Sequence, residues 1–460
     1  MAKPSKSIRT KKIFQLPPYV RKALQKLDEA GHVAYVVGGS VRDFLLDRDA
    51  KDIDLVTSAD PETLCQIFPD SITTGKLFGV IRVPTHTKSK KEQQYVEVAT
   101  FRQDLEYVDF RHPRGVVFAG PLEDAARRDF TVNALFFDPK TSTIIDYVDG
   151  VADLKAGLIR AVGDPNERFR EDALRLLRAI RFKTRLGFEF EPGTAAAIRS
   201  RAHLISKISV ERIRDELTLM WQGPRPQEAL KLLSEFGLLK YILPEVEAVK
   251  HLDEIYAPGT LRKEDIWGHL SRVLGHLAAQ MPSRSRVLAW LSVLHEVGRP
   301  VALRANQGLN FNGHETEGRK IAELVAHRLR MSRAEAETLG TMIAEHIKFR
   351  GVFQMREATF QRFIRQENFE ELLAFHRADA TAGDGNLAYY EFCASRLETL
   401  KNEAGKDQGR ILDGDDLIQL GFTPGPGFAE ILRVVEDLTL ERKLTTKEEA
   451  LEFVLKNFVR

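Results

Sequence analysis

The 460 residues carry 68 Lys and Arg against 66 Asp and Glu, a formal net charge of +2, with 43% hydrophobic and 29% charged residues. That balance describes a soluble folded chain of several domains and excludes collagen-like or low-complexity proteins. Two distant cysteines, Cys65 and Cys393, support neither a disulfide framework nor a zinc cluster. No apolar run reaches the ~20 residues that span a bilayer, and no signal peptide precedes the fold, so no membrane partner and a cytoplasmic location are expected.

In chain order, Lys3, Lys6, Arg9, Lys11 and Lys12 mark residues 1–15 as a basic, disordered tail. Strands are predicted at 33–37, 51–56, 78–83, 94–101, 116–119, 131–137 and 143–147, separated by Gly, Pro and Asp. From about residue 165 the strand patterns stop, and amphipathic stretches rich in Leu, Ala, Arg and Glu run to the end. The expected fold is α+β: a mixed α/β head followed by a long all-helical neck, body and tail. The expected divisions are a head at 16–165, a neck at 166–250, a body at 251–385 and a tail at 386–460. Residues 160–215 hold thirteen Lys and Arg against eight Asp and Glu, a local excess suited to a phosphate backbone.

The first chemical motif is Val36-Val37-Gly38-Gly39-Ser40-Val41-Arg42-Asp43, followed by Lys51-Asp52-Ile53-Asp54. A strand running into two glycines lets backbone N–H groups approach a phosphate. Alternation along the next strand places Asp52 and Asp54 on one face, where two carboxylates repel unless cations share them. Glu97, inside the Val-rich run Tyr95–Arg102, is a tentative third metal ligand or a surface residue. In Arg127-Arg128-Asp129-Phe130-Thr131-Val132-Asn133, arginine suits phosphate oxygens, Asp129 a ribose hydroxyl and Asn133 the triphosphate. In Glu171–Phe182 the helical period puts Ala173, Leu176, Leu177 and Ile180 inward. Glu171, Asp172, Arg175 and Arg178 share the opposite arc, with Asp172 and Arg175 expected to hold each other and to read the edge of a base.

Taken together, these motifs resemble those of the class II tRNA nucleotidyltransferases, a family of CCA-adding enzymes and bacterial poly(A) polymerases. Further pieces in order are Gly75 to Gly79, Gly163-Asp164-Pro165 with Arg168-Phe169, and Ser209-Val210-Glu211-Arg212-Ile213. The resemblance implies a polymerase-beta-like head in which Asp52 and Asp54 hold two Mg²⁺ ions. Gly38, Gly39, Ser40, Arg42, Arg128, Asp129, Asn133, Asp172, Arg175 and Arg178 would bind the nucleotide. CTP and ATP would be added to the 3′ end of tRNA, which the helical body would hold. The segment Arg102 to Arg114 looks like the loop that helps CCA-adding members switch from C to A. Poly(A) polymerase or A-only addition is the alternative within this chemistry; oligomeric state is not legible.

Residues 264–383 resemble an HD phosphohydrolase region through His269, His295, Glu296, His314, His346 and Asp379. Glu296 stands where aspartate is expected, and its extra methylene is expected to move the carboxylate by ~1.5 Å, more than a metal site tolerates. The expected outcome is a degenerate scaffold, with an HD-type metal-dependent phosphohydrolase as the alternative from another class.

Overall fold

The computed structural model describes residues 6–10, 12–50, 52–75, 79–85, 95–105, 114–256, 265–403 and 411–458. The chain divides into two compact units, Met1–Pro244 and Glu245–Arg460.

The first unit opens with strand β1 (Lys6–Arg9), helix α1 (Pro18–Glu29), β2 (Ala34–Val37), α2 (Gly39–Leu45), β3 (Asp54–Thr57) and α3 (Pro61–Ile67). Strands β4 (Ile72–Gly75), β5 (Val80–Pro84), β6 (Tyr95–Thr100), β7 (Arg102–Asp104) and β8 (Val116–Phe118) follow. The head then closes with α4 (Pro121–Ala126), β9 (Leu135–Asp138), β10 (Thr143–Asp146), α5 (Gly150–Ala156) and β11 (Leu158–Ile159). Among the described residues, eight strands form one sheet in the order β1-β10-β9-β2-β3-β6-β5-β4. Only the β3–β6 pair within it is parallel.

The central strands are continuous apolar runs because both their faces are covered. Val36, Leu55, Val56 and Val98 are fully buried, as is Phe136 on the next strand. Helix α1 buries Val20, Ala23 and Leu27, one stripe at helical spacing. Lys6–Arg9 corrects the sequence reading of a disordered tail: these residues pair antiparallel with β10, Ile8 opposite Ile144, and complete the sheet edge. Residues 131–133, read as strand, form a 3₁₀ turn before β9. The Arg102–Arg114 loop is bounded by β7 and β8, which pair Arg102 with Phe118; its residues 106–113 lie outside the described residues.

Helices α6 (Pro165–Glu171), α7 (Leu174–Leu186), α8 (Pro192–Arg201) and α9 (Val210–Trp221) form the neck, with a two-residue β12 (Glu189–Phe190) paired to β11. The helix expected to run unbroken through 171–182 breaks at Asp172 (φ −140°, ψ 102°), where its Oδ1 accepts the Leu174 amide. Nor does α7 keep one solvated arc. Arg175, Arg181, Lys183 and Thr184 are as buried as Leu176 and Ile180, because α7 is enclosed by other elements of the unit.

The second unit is helical throughout its described residues. Its C-terminal part has a core of its own built from Leu412, Leu417, Phe422, Ile431, Val435 and Val454. Among the described residues no helix is long and apolar enough to cross a membrane.

Candidate nucleotidyl-transfer site

The site grows from the end of β2. Gly38 takes φ +78°, a left-handed turn that a side chain would strain, and its amide donates to the Leu135 carbonyl at 3.1 Å. A Cβ at Gly38 would meet Arg128 Nη1 at 3.5 Å, so the guanidinium lies directly over the turn. The Ser40 hydroxyl is buried and donates to the Val37 carbonyl at 3.1 Å, which tightens the turn.

Antiparallel pairing sets Val37 opposite Asp54, placing the glycine turn beside the first residue of β3. Asp52 and Asp54 are exposed, while Ile53 between them is buried, so both carboxylates open to the same solvent side. The parallel register of β3 and β6, Leu55 with Val98, brings Glu97 to the neighbouring position. Although Asp54 opens to solvent, desolvation against the sheet, then Glu97 and Asp52, outweigh Arg128 and push its carboxyl up to about 6. Crowded carboxylates of this kind fit a divalent cation. Glu97 itself accepts Arg82 Nε at 2.9 Å from β5, a half-exposed pair.

The Arg127-Arg128 motif is anchored by Asp124, a residue the sequence reading did not single out. Its carboxylate is fully buried and takes Arg127 at 2.6 Å and Arg128 at 2.9 Å. Burial opposes its ionisation, yet Arg128 and Arg127 hold it below the ordinary carboxylate value. The signal was present: an acid on a short helix, three and four residues before a pair of arginines at and just past its C-terminal end.

Asp129 and Asn133 sit in a buried chain of hydrogen bonds. Asp129 Oδ1 accepts the Phe130 amide at 2.8 Å and Asn133 Nδ2 at 3.1 Å, and Oδ2 accepts Arg178 at 2.9 and 2.6 Å. Asn133 Oδ1 accepts Arg42 Nη1 at 2.5 Å, and Arg42 also grips Asp43 at 2.8 Å. Burial would raise the Asp129 carboxyl, but Arg178 and Asn133 bring it down to about 2. Arg42, 2% exposed, therefore acts on the site through Asn133 rather than from its surface.

Asp172 and Arg175 do not hold each other, contrary to the spacing argument. Asp172 takes Arg212 of α9 at 2.8 and 3.1 Å. Arg175 donates to Glu171 at 2.7 Å and to the carbonyls of Arg168 and Arg127, both at 3.0 Å. The Arg175 amide still donates to the Asp172 carbonyl at 3.0 Å, but the extended backbone at Asp172 accompanies a carboxylate taken by the Leu174 amide and Arg212 instead. Arg175 is nonetheless tied to the arginine motif of the head, and Arg212 joins from a segment forty residues downstream.

The model of the poly(A) polymerase head domain family matches residues 34–160, and that of a probable RNA- and SrmB-binding site of polymerase A matches residues 187–250. Over its head and neck the chain thus resembles the poly(A) polymerase and tRNA nucleotidyltransferase families. Such nucleotidyltransferases depend on a divalent metal. The chain is similar to the CCA-adding enzyme of Lactobacillus helveticus, 45% identical over 249 residues, 53% of this chain and 60% of that protein. It is also similar to the Lactobacillus johnsonii CCA-adding enzyme, 47% identical over 231 residues, 49% of this chain and 56% of that one. The match thus takes in less than two thirds of these relatives' length. Among solved structures, the Bacillus stearothermophilus CCA-adding enzyme in complex with CTP shares 27% identity and a TM-score of 0.68, covering 96% of this chain and 98% of that one. The Thermotoga maritima CCA-adding enzyme complexed with tRNA, at 20% identity and a TM-score of 0.59 over 96% of each chain, shares the fold.

A second cluster lies in the helical unit. Among the described residues, His269, His295 and Glu296 form the group of three whose ligand atoms lie within 4.8 Å of one another. Glu296 Oε1 is 3.7 Å from Nε2 of both histidines, and Asp379 Oδ1 is 2.9 Å from His269 and 3.9 Å from His295. The other Glu296 oxygen is taken up by Arg299. Burial pushes His295 down to about 4, leaving a neutral ring, and neither of its nitrogens has a hydrogen-bond partner among the described residues. Burial disfavours an ionised Glu296, but Arg299 holds it down to about 2. His314 Nδ1 lies 3.0 Å from the Phe311 carbonyl, while its ring meets His346 edge-on at 5.6 Å, itself 5.8 Å from His295.

Proposed function

We propose that this chain is a tRNA CCA-adding nucleotidyltransferase, extending tRNA 3′ ends by C, C and A from CTP and ATP with release of pyrophosphate. The observation that carries it is Asp54, with its raised carboxyl, beside the Gly38 turn and under Arg128. Together they form a place for a triphosphate and for the cations that neutralise it. Similarity to a CCA-adding enzyme solved with CTP supports that reaction over poly(A) synthesis. Two Mg²⁺ ions held by Asp52 and Asp54, with Glu97 as a further candidate, would make the 3′-hydroxyl a better nucleophile and offset charge on the triphosphate. Arg128 binds phosphate oxygens over the glycine turn, and Asp129 and Asn133 orient the ribose and triphosphate. The hydroxyl attacks the α-phosphate and pyrophosphate leaves, with positioning doing much of the work. Asp172 and Arg175 exchange their own-chain partners for the Watson–Crick edge of C or A, and the basic neck follows the tRNA backbone. The proposed divisions are a head to 165, a neck to 250, and a body and tail beyond.

Purified protein given tRNA lacking CCA incorporates two C and one A. Given tRNA ending in CC it adds one A; long A tails or no C incorporation would sink the reading. Replacing Arg175 with alanine lowers discrimination among the four NTPs by about tenfold or more, which competition assays measure, with a smaller effect on total NTP affinity.

A second reading attaches to the helical unit, where the converging His269, His295, Glu296 and Asp379 favour a divalent cation and a phosphohydrolase activity. Zinc or cobalt titrated into an Asp52→Ala/Asp54→Ala variant then binds one equivalent, and His295→Ala abolishes it. No binding in the parent variant leaves this unit a scaffold.

A further inference from the structure

We propose that Phe182 is the positioning residue that locks the glycine-turn helix to the base-reading helix; the proposal rests on the CCA-adding reading above. Phe182 is 6% exposed on α7, and three guanidinium carbons lie over its ring: Arg42 at 5.3 Å, Arg178 at 5.3 Å and Arg181 at 4.4 Å. Phe130 meets the same ring edge-on at 5.7 Å. Three cations this close repel one another, and the electron-rich face of a buried ring is a neutral group that attracts all of them.

The identity of the three gives the ring its consequence. Arg42 comes from α2, directly after the glycine turn, and donates to Asn133. Arg178 comes from α7 and holds Asp129, and Arg181 holds Glu216 of α9 at 2.6 Å. Asp129 and Asn133 are themselves bonded at 3.1 Å. Phe182 is thus the hub of the chain Asp43–Arg42–Asn133–Asp129–Arg178–Glu216–Arg181. That chain runs from the turn, through the ribose and triphosphate residues, to the helix carrying Arg175. Acidic partners hold the guanidiniums at one side, and the ring holds their central carbons within 4.4–5.3 Å of its centroid. Loss of the face frees Arg42 and Arg178 to rotate, and Asn133 and Asp129 shift with them.

The test replaces Phe182 with pentafluorophenylalanine, which keeps the shape of the ring and withdraws electron density from its face. The readouts are KM and kcat for CTP on tRNA lacking CCA, the same for ATP on tRNA ending in CC, and the ratio of correct to incorrect incorporation. KM for both nucleotides rises about tenfold, more than kcat falls, and misincorporation rises by a similar factor. Phe182→Leu gives at least the same change, and the fluorinated variant keeps the test decisive where that substitution perturbs folding. A fluorinated enzyme with wild-type KM and fidelity overturns the role of Phe182 and leaves a packing residue. A wild-type protein that adds no nucleotide overturns the CCA-adding reading, and this proposal with it.

Discussion

On the proposed two-metal reading, replacing Asp54 with asparagine lowers nucleotide incorporation by about a thousandfold or more, because such assistance supplies several kcal/mol and each 1.36 kcal/mol is tenfold in rate. Asp52→Ala does the same, and survival of activity in either variant would dismiss the metal assignment. The pH dependence follows from the crowding at Asp54, whose carboxyl stands at about 6 against an ordinary 3.8. Protonation competes with the cation, so incorporation falls as pH drops through about 6, and higher Mg²⁺ moves the falling limb to lower pH. Stability has the opposite sign. Between about 4 and about 6 the folded chain binds this proton more tightly than the unfolded chain, so without metal its stability falls as pH rises through that window. Added Mg²⁺ restores it, and Asp54→Asn removes the dependence; melting curves at several pH values, with and without the cation, read both effects.

Asp129→Ala lowers the melting midpoint of the head-and-neck unit by about 6–12 °C, since breaking a buried ion pair costs about 3 kcal/mol where one partner keeps some exposure. Arg178 and Asn133 lose their common acceptor, and Arg42 loses the partner of its partner. KM for both nucleotides rises, and preference for ribonucleotides over deoxyribonucleotides falls. The carboxyl lies at about 2 in the folded chain, below its ordinary value. Its stabilisation is therefore full above about pH 4 and is lost only as pH falls through about 2, so the variant's deficit is constant across neutral pH. Calorimetry on Asp129→Ala checks the first effect, and a dATP-versus-ATP competition checks the second. An unchanged midpoint would mean that the arginine finds another acceptor.

Where the chemistry depends on neighbours in sequence, the chain was readable in advance. The glycine turn, Asp52, Asp54 and Arg128 stand out as candidates because turns, strand alternation and acid or arginine spacing act over a few residues. Where it depends on distant partners, spacing misled. The Asp172–Arg175 pair looked secure at i,i+3, yet Asp172 caps a new helix and pairs with Arg212 forty residues on. Lys6–Arg9 read as a charged tail because an edge strand needs only backbone pairing, which composition does not encode.

The sequence by itself determined the mixed head and the helical remainder, and made Asp52, Asp54 and the glycine turn the candidates for a nucleotide site, since these rest on local periodicity and short-range geometry. Tertiary structure alone decided which charges hold which. Arg42 reaching Asn133, Arg178 reaching Asp129 and Arg42 over the Phe182 ring all join residues far apart in the chain. A buried charge takes whatever partner folding brings to it, because leaving it unpaired in a dry interior costs more than any preference for a neighbour in sequence.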